Sequence, residues 1–265
     1  MDSDIAAAFT PPPPDGAAGA DLDHGVWDGL LARHCRTMGD ASGGAGTGVA
    51  YGAFSAADRA GLEAYLAAMQ AQGVAGLGRA GQFAFWINLY NARTVALVLE
   101  HYPVASIRDI DLGGGLRAAV LGGPWQKKLL RVAGVALSLD DVENAILRRL
   151  FRDARLHYAL NCASIGCPNL QPSPWSAGTL DSDLDAAARA FVNHPRAVTV
   201  KADGSLKISS IYRWFIEDFG GNDAGILRHL RLFANGDLAE RLSGTPRISE
   251  DGYDWTLNAP GTGSG

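Results

Sequence analysis

Apolar positions along the chain fall first into helical and then into strand-like spacing. Trp27, Leu30, Leu31 and His34 predict a helix over about 26–36. Ser55 sits where a side-chain oxygen caps a second helix, with Leu62, Tyr65, Leu66 and Met69 on one face and Gly73 closing it. From about Gly81 to His101 the sequence is apolar nearly all round (Phe83, Phe85, Trp86, Ile87, Leu89, Tyr90, Val95, Leu97), the pattern of a helix enclosed by protein. Proline at 103 ends it, because the residue before a proline is pushed out of helical backbone.

Beyond Pro103, short alternating runs predict a hairpin of 129–132 with 135–137 about Ala133-Gly134, and another of 198–200 with 206–208 about Asp203-Gly204. Leu156, Tyr158 and Leu160 alternate with His157, Ala159 and Asn161, which is strand periodicity. Ser138 with Asp141 forms a variant capping box at the start of another helix. Further helices are expected over about 181–193, and from Ser209 or Ser210 to Phe219, where Gly220-Gly221 ends the last. Helices and hairpins do not alternate as strand-helix-strand units. The fold class is therefore α+β: a central apolar helix and surrounding helices packed on a small, mainly antiparallel sheet. One domain is expected over 23–258. Residues 1–22, with Pro11 to Pro14 among Asp, Ala and Gly, and the tail 259–265 are expected to be disordered, and Ser42 to Gly46 to be loose chain.

Composition narrows the partners. With 23 basic and 28 acidic residues, the net charge of −5 and the lack of a basic block leave no footprint for nucleic acid. Asn88, Asn91 and Arg93 interrupt the longest apolar run, Phe83 to Leu99, so no membrane insertion is expected. Three cysteines are too few and too uneven for a disulfide framework. That count, with an acidic start lacking an apolar leader, fits a cytoplasmic chain, or an exported one if the start is misassigned. No nucleotide-binding or His-Glu-x-x-His motif occurs, so no cofactor is expected.

Candidate chemistry concentrates between His157 and Pro168. Cys162 as a thiolate activated by His157 would be a nucleophile toward an amide, peptide or thioester. In an unbroken strand the two point to opposite faces, so they meet only if the chain turns at Asn161 or Cys162. Glu143 falls within the apolar stripe Leu139, Val142, Ile146 and Leu150, where a carboxylate needs a partner. It is expected either to orient His157 or to pair with Arg93, Arg155 or another arginine. Asn161 and the backbone amides of Ser164 to Cys167 are expected to face a developing oxyanion. Asn88 and Asn91, one helical turn apart on the central helix, are expected to hold a loop or face a polar substrate. Alternatives remain: Cys162 as a buried hydrophobe, His157, Cys162 and Cys167 as zinc ligands, a Cys162–Cys167 disulfide, or a non-enzymatic surface at 162–168 that docks a protein partner. Trp214, Tyr253 and Trp255 are candidates for a groove wall or for core.

The segments Phe85 to Ala92, Leu137 to Glu143, His157 to Pro168, and Ser210 to Trp214 with Asp218-Phe219 resemble the domain-of-unknown-function family 547. The resemblance runs from about Val26 to Asn258. It implies a family found in bacteria and plants and matches the family motif at Asn88, Asn91, Glu143, His157, Asn161, Cys162, Ser164, Cys167 and Pro168, with no catalytic assignment attached. A central helix beside a Cys and His pair also invites analogy with papain-like thiol enzymes, whose nucleophile heads that helix.

Overall fold

The structure, a computed structural model, describes residues 2–12, 22–39, 45–113 and 124–260. Its centre is helix α4 (Arg79–His101), in which every side chain from Gln82 to Leu99 is buried. Around it lie α1 (Asp2–Ala8), α2 (Gly25–His34), α3 (Ala56–Gln72), α5 (Asp141–Phe151), α6 (Leu180–Val192), α7 (Ile211–Trp214), α8 (Asp223–Phe233) and α9 (Gly236–Ser243). Strands are short and form three small sheets: β1 (Cys35–Gly39) with β2 (Ala45–Val49), β3 (Leu130–Val132) with β4 (Val135–Leu137), and β5 (Val198–Val200), β6 (Leu206–Ser209) and β7 (Ile248–Gly252) in that order. The α+β class holds, with the strand content divided among separate ribbons.

Local chemistry explains the elements that match expectation. The Ser55 hydroxyl accepts from the Asp58 N–H at 3.1 Å while Asp58 accepts from the Ser55 N–H, a reciprocal cap on α3. Ala133 and Gly134, at φ 47° and 81°, form the tight β3–β4 turn. The second hairpin also forms, but β6 gains a parallel partner in β7, which only the distant segment 248–252 could supply.

Five expectations differ. Within the stretch expected to be disordered, α1 forms and buries Ile5 and Phe9, the latter edge-on to Trp86 at 5.0 Å; residues 13–21 lie outside the described residues. The tail differs at its first residue, since Ala259 is buried, and 261–265 also lie outside. The loose chain expected at 42–46 is partly hairpin β1–β2. The strand expected over 156–161 is instead a 3₁₀ turn, Ala154–Tyr158, started by Asp153, whose carboxylate accepts the Arg155 N–H at 2.9 Å. Residues 156–161 are all buried, so the alternation does not divide an inner from an outer face. The helix expected to reach Phe219 stops at Trp214 and continues as turns to Gly220 and Gly221, both at positive φ. A Cβ on Gly225 would lie 2.5 Å from the Gly220 carbonyl oxygen, so that crossing requires glycine.

Near this crossing His229 is wedged among Tyr158, Phe219 and Phe233, with Nε2 2.8 Å from the Tyr158 hydroxyl. Burial pulls its pKa down to about 4. The folded state therefore favours neutral imidazole, and its contribution is complete above the unfolded value of about 6.5 and lost as pH falls toward 4. Urea unfolding at stepped pH is expected to show a loss of up to about 3 kcal/mol across that window, reduced in His229→Gln. An identical pH dependence in the variant would contradict this role.

Candidate active site

The loop Asn161–Pro168 is held from three sides. From α4, Asn91 accepts the Asn161 N–H at 2.9 Å and donates to the Ala159 carbonyl at 2.9 Å, while Asn88 makes the same two-way clasp with Trp175. The Asn161 side chain spans the loop, donating to the Pro168 carbonyl at 2.8 Å and accepting from the Ala163 N–H at 2.9 Å. A strap from the C-terminal segment closes the third side: Ile165 N–H donates to Thr256 O and Gly166 N–H to Asp254 O, each at 2.8 Å. A Cβ on Gly166 would meet the Asp254 backbone nitrogen at 2.9 Å, so only glycine admits so close a strap. Ala163, at φ 62°, takes a left-handed conformation unfavourable to a residue with a Cβ, a local cost the surrounding bonds hold in place.

This framework carries Tyr253 to the two thiols. Its hydroxyl lies 3.0 Å from Cys162 Sγ, 3.0 Å from Cys167 Sγ and 2.8 Å from Ser164 Oγ. The Cys162 backbone N–H donates to Cys167 Sγ at 2.9 Å, and the Ser164 hydroxyl donates to the same sulfur at 3.5 Å. Burial pushes the Cys167 thiol up, but donors from Cys162, Ser164 and Tyr253 outweigh it and bring its pKa down to about 6. The hydrogen bond to Cys167, together with burial, pushes the Cys162 thiol up. Of the pair, Cys167 holds the negative charge, because a backbone N–H cannot reverse its polarity. Both cysteines, like Cys35, are free thiols.

A second cluster faces them across a cavity of about 870 Å³ whose lining includes Tyr90, Glu143, His157, Cys162 and Cys167. His157 stacks on Phe215 at 4.1 Å, with Nε2 2.7 Å from Asp218 Oδ2. Arg148 grips the same carboxylate through two bonds, at 2.6 and 3.1 Å. Burial would raise Asp218, but His157 and Arg148 hold it down to about 2. Since a carboxylate accepts only, His157 donates from Nε2 and turns a bare Nδ1 toward Glu143, 3.9 Å away. Burial pushes the His157 pKa down despite Asp218, and pushes Glu143 up to about 7 with help from the charges of Asp140 and Cys167. The Tyr90 hydroxyl donates to Glu143 at 3.4 Å. Glu143 sits on α5, a π-helix, a winding that recurs where a side chain is displaced for function.

Cys162, His157 and Glu143 thus line one cavity but are linked differently from expectation. Cys162 bonds Ser164 and Tyr253, and the group orienting His157 is Asp218, 61 residues away, with Glu143 beyond hydrogen-bonding distance. Arg93 pairs with Glu100, and Arg155 with Asp153, Asp181 and Asp185, so neither engages Glu143. Most of the expected oxyanion donors are already engaged: Asn161 by the loop, and the amides of Ile165, Gly166 and Cys167 by backbone carbonyls. Asn88 and Asn91 hold backbone. No set of three His, Cys, Asp or Glu side chains among the described residues is arranged to hold a metal, so the zinc alternative lacks its ligand set. Ala163, Ser164 and Cys167 are buried, which leaves little of 162–168 as a docking surface. Trp214, Tyr253 and Trp255 do form a cavity wall. No helix among the described residues is long and apolar enough to cross a membrane.

Fold and site together define an α+β domain with a paired-thiol cavity behind a buried central helix. Residues 74–192 match the family described as "Protein of unknown function, DUF547", and the chain carries a domain of that family over this stretch. The match is narrower than the resemblance read from the motifs: it includes both thiols, Glu143 and His157, and stops before Asp218 and Tyr253. No curated protein and no solved structure matches the chain.

Proposed function

We propose that the cavity is the active site of a thiol-dependent hydrolase or acyltransferase in which Cys167, rather than Cys162, is the nucleophile. The observation that supports this most is the fixed Cys162 N–H directed at Cys167 Sγ beside two hydroxyl donors, on the wall of a cavity also lined by Glu143 and His157. The Cys167 thiolate attacks the acyl carbon and a C–S bond forms. As charge moves from sulfur to the carbonyl oxygen, the Ser164 and Tyr253 hydroxyls are released from sulfur and become donors to the oxyanion. The bond to the leaving amine, thiol or alcohol breaks, and that group takes the proton of Glu143. Water then gives a proton back to the Glu143 carboxylate and its hydroxide to the thioester, releasing the carboxylic acid and restoring the thiolate; an acceptor nucleophile in place of water gives transfer. His157, held by Asp218, lines the cavity beside Glu143 with its bare Nδ1 3.9 Å from the carboxyl group, too far for a hydrogen bond.

An activated ester tests the reading. With p-nitrophenyl acetate the protein is expected to release a burst of nitrophenolate and to carry the acetyl group on Cys167, located by peptide mass spectrometry. A burst preserved in Cys167→Ser would overturn it.

A further inference from the structure

The cavity wall holds three indoles: Trp125 and Trp255 rest in part on the core, and Trp214 and Trp255 pack on Tyr253 at 4.8 and 4.6 Å. The Trp255 ring lies between Trp125, at 5.6 Å, and Trp214, at 5.5 Å and only 25° from parallel. The Arg108 guanidinium lies over the Trp255 ring at 5.2 Å. Among the described residues, neither Arg108 nor Lys127 has an ion-pair partner, whereas their cavity neighbour Lys128 is paired with Asp141. Trp214 keeps about half of its surface exposed although it is large and apolar. Half-exposed Trp214 with partly buried Trp125 and Trp255, beside these two cations, is complementary to one kind of ligand: a flat or ring-bearing body that stacks, with an anionic group at its edge.

We infer that the substrate is an acyl compound bearing a flat ring and a carboxylate or other anion, its ring on the wall of Trp125, Trp214 and Trp255 and its anion at Arg108 and Lys127. This rests on the acyl-transfer reading for the word substrate only, since the subsite itself binds without any covalent step. The same cavity is lined by Asp140, whose N–H donates to the Trp125 carbonyl at 3.0 Å, and by Glu143 with the two thiols.

Calorimetric titration of the full chain carrying Cys167→Ser keeps binding apart from chemistry. The probes are naphthalene-2-carboxylate and its neutral carboxamide, which share a ring and differ in charge. The carboxylate is expected to bind about 10-fold or more tightly at low salt, the gain a charge-assisted contact brings. In Arg108→Ala/Lys127→Ala, both exposed positions, that preference is expected to vanish while amide binding stays, and Trp255→Ala is expected to weaken both probes. Equal affinity for the two probes, a preference unchanged in the double variant, or no binding of either overturns the inference. None of these outcomes depends on whether Cys167 is acylated, so the binding site and the nucleophile fail separately.

Discussion

Cys167→Ser is expected to lower turnover of an activated ester by roughly 10³-fold or more, while Cys162→Ser lowers it by no more than about tenfold. The asymmetry follows from which sulfur carries the charge. A serine at 167 keeps the donors around it but ionises far too weakly to use them, so the whole advantage of a thiolate at neutral pH is lost. A serine at 162 keeps the backbone N–H that points at Cys167 and replaces one side-chain donor by another. With an amide substrate, whose leaving amine needs a proton, activity should rise through pH about 6 as Cys167 ionises and fall through about 7 as Glu143 gives up its proton. Because the two charges oppose each other, the limbs belong to the pair rather than to either residue alone. Glu143→Gln should remove the falling limb and lower the maximum. A bell unchanged in that variant would take the proton donor's role away from Glu143.

Asn91→Ala is expected to be the most costly substitution for stability among the residues of the site framework, about 3 kcal/mol or more in urea unfolding. It removes two hydrogen bonds and leaves the Ala159 carbonyl and the Asn161 N–H without partners where water does not reach. Asn91→Asp keeps an acceptor for Asn161 but turns it against the Ala159 carbonyl, so it should recover little. Leu232→Ala, at a position 66% exposed, serves as the control and should change stability by less than about 0.5 kcal/mol. If Asn91→Ala matched that control, the amide would not be holding the loop.

The contrast between Asn91 and Asp218 shows what was legible in the sequence. An amide on a helix otherwise apolar all round must find a partner, so spacing narrows Asn91 to holding a loop or facing a polar substrate and marks Glu143 as a carboxylate within an apolar stripe. The caps at Ser55 and Ser138 and the turn at Ala133-Gly134 are equally local, and each forms. His157 and Asp218 are 61 residues apart, and Cys167 and Tyr253 are 86 apart; no periodicity joins them, because a strap and a chain crossing set by Gly166 and Gly225 bring them together. The 156–161 segment misleads for a different reason: alternation marks a strand only when one face is wet, and here both are dry. The choice between the two thiols depends on the direction of one backbone N–H, which residue types do not encode. Helix α1 lies in a stretch whose composition, dominated by prolines and small residues, hides the two apolar side chains, Ile5 and Phe9, that dock it.

Iodoacetamide modification followed at Cys162 and Cys167 separately, by peptide mass spectrometry across pH 4 to 10, goes to the centre of this mechanism, at roughly the range where thiols titrate. Cys167 should react with a half-maximal rate near pH 6, and Cys162 only well above the ordinary thiol range. If Cys162 reacts first at low pH, or if both thiols turn on together near about 8.5, Cys167 is not the thiolate and the proposed nucleophile is wrong.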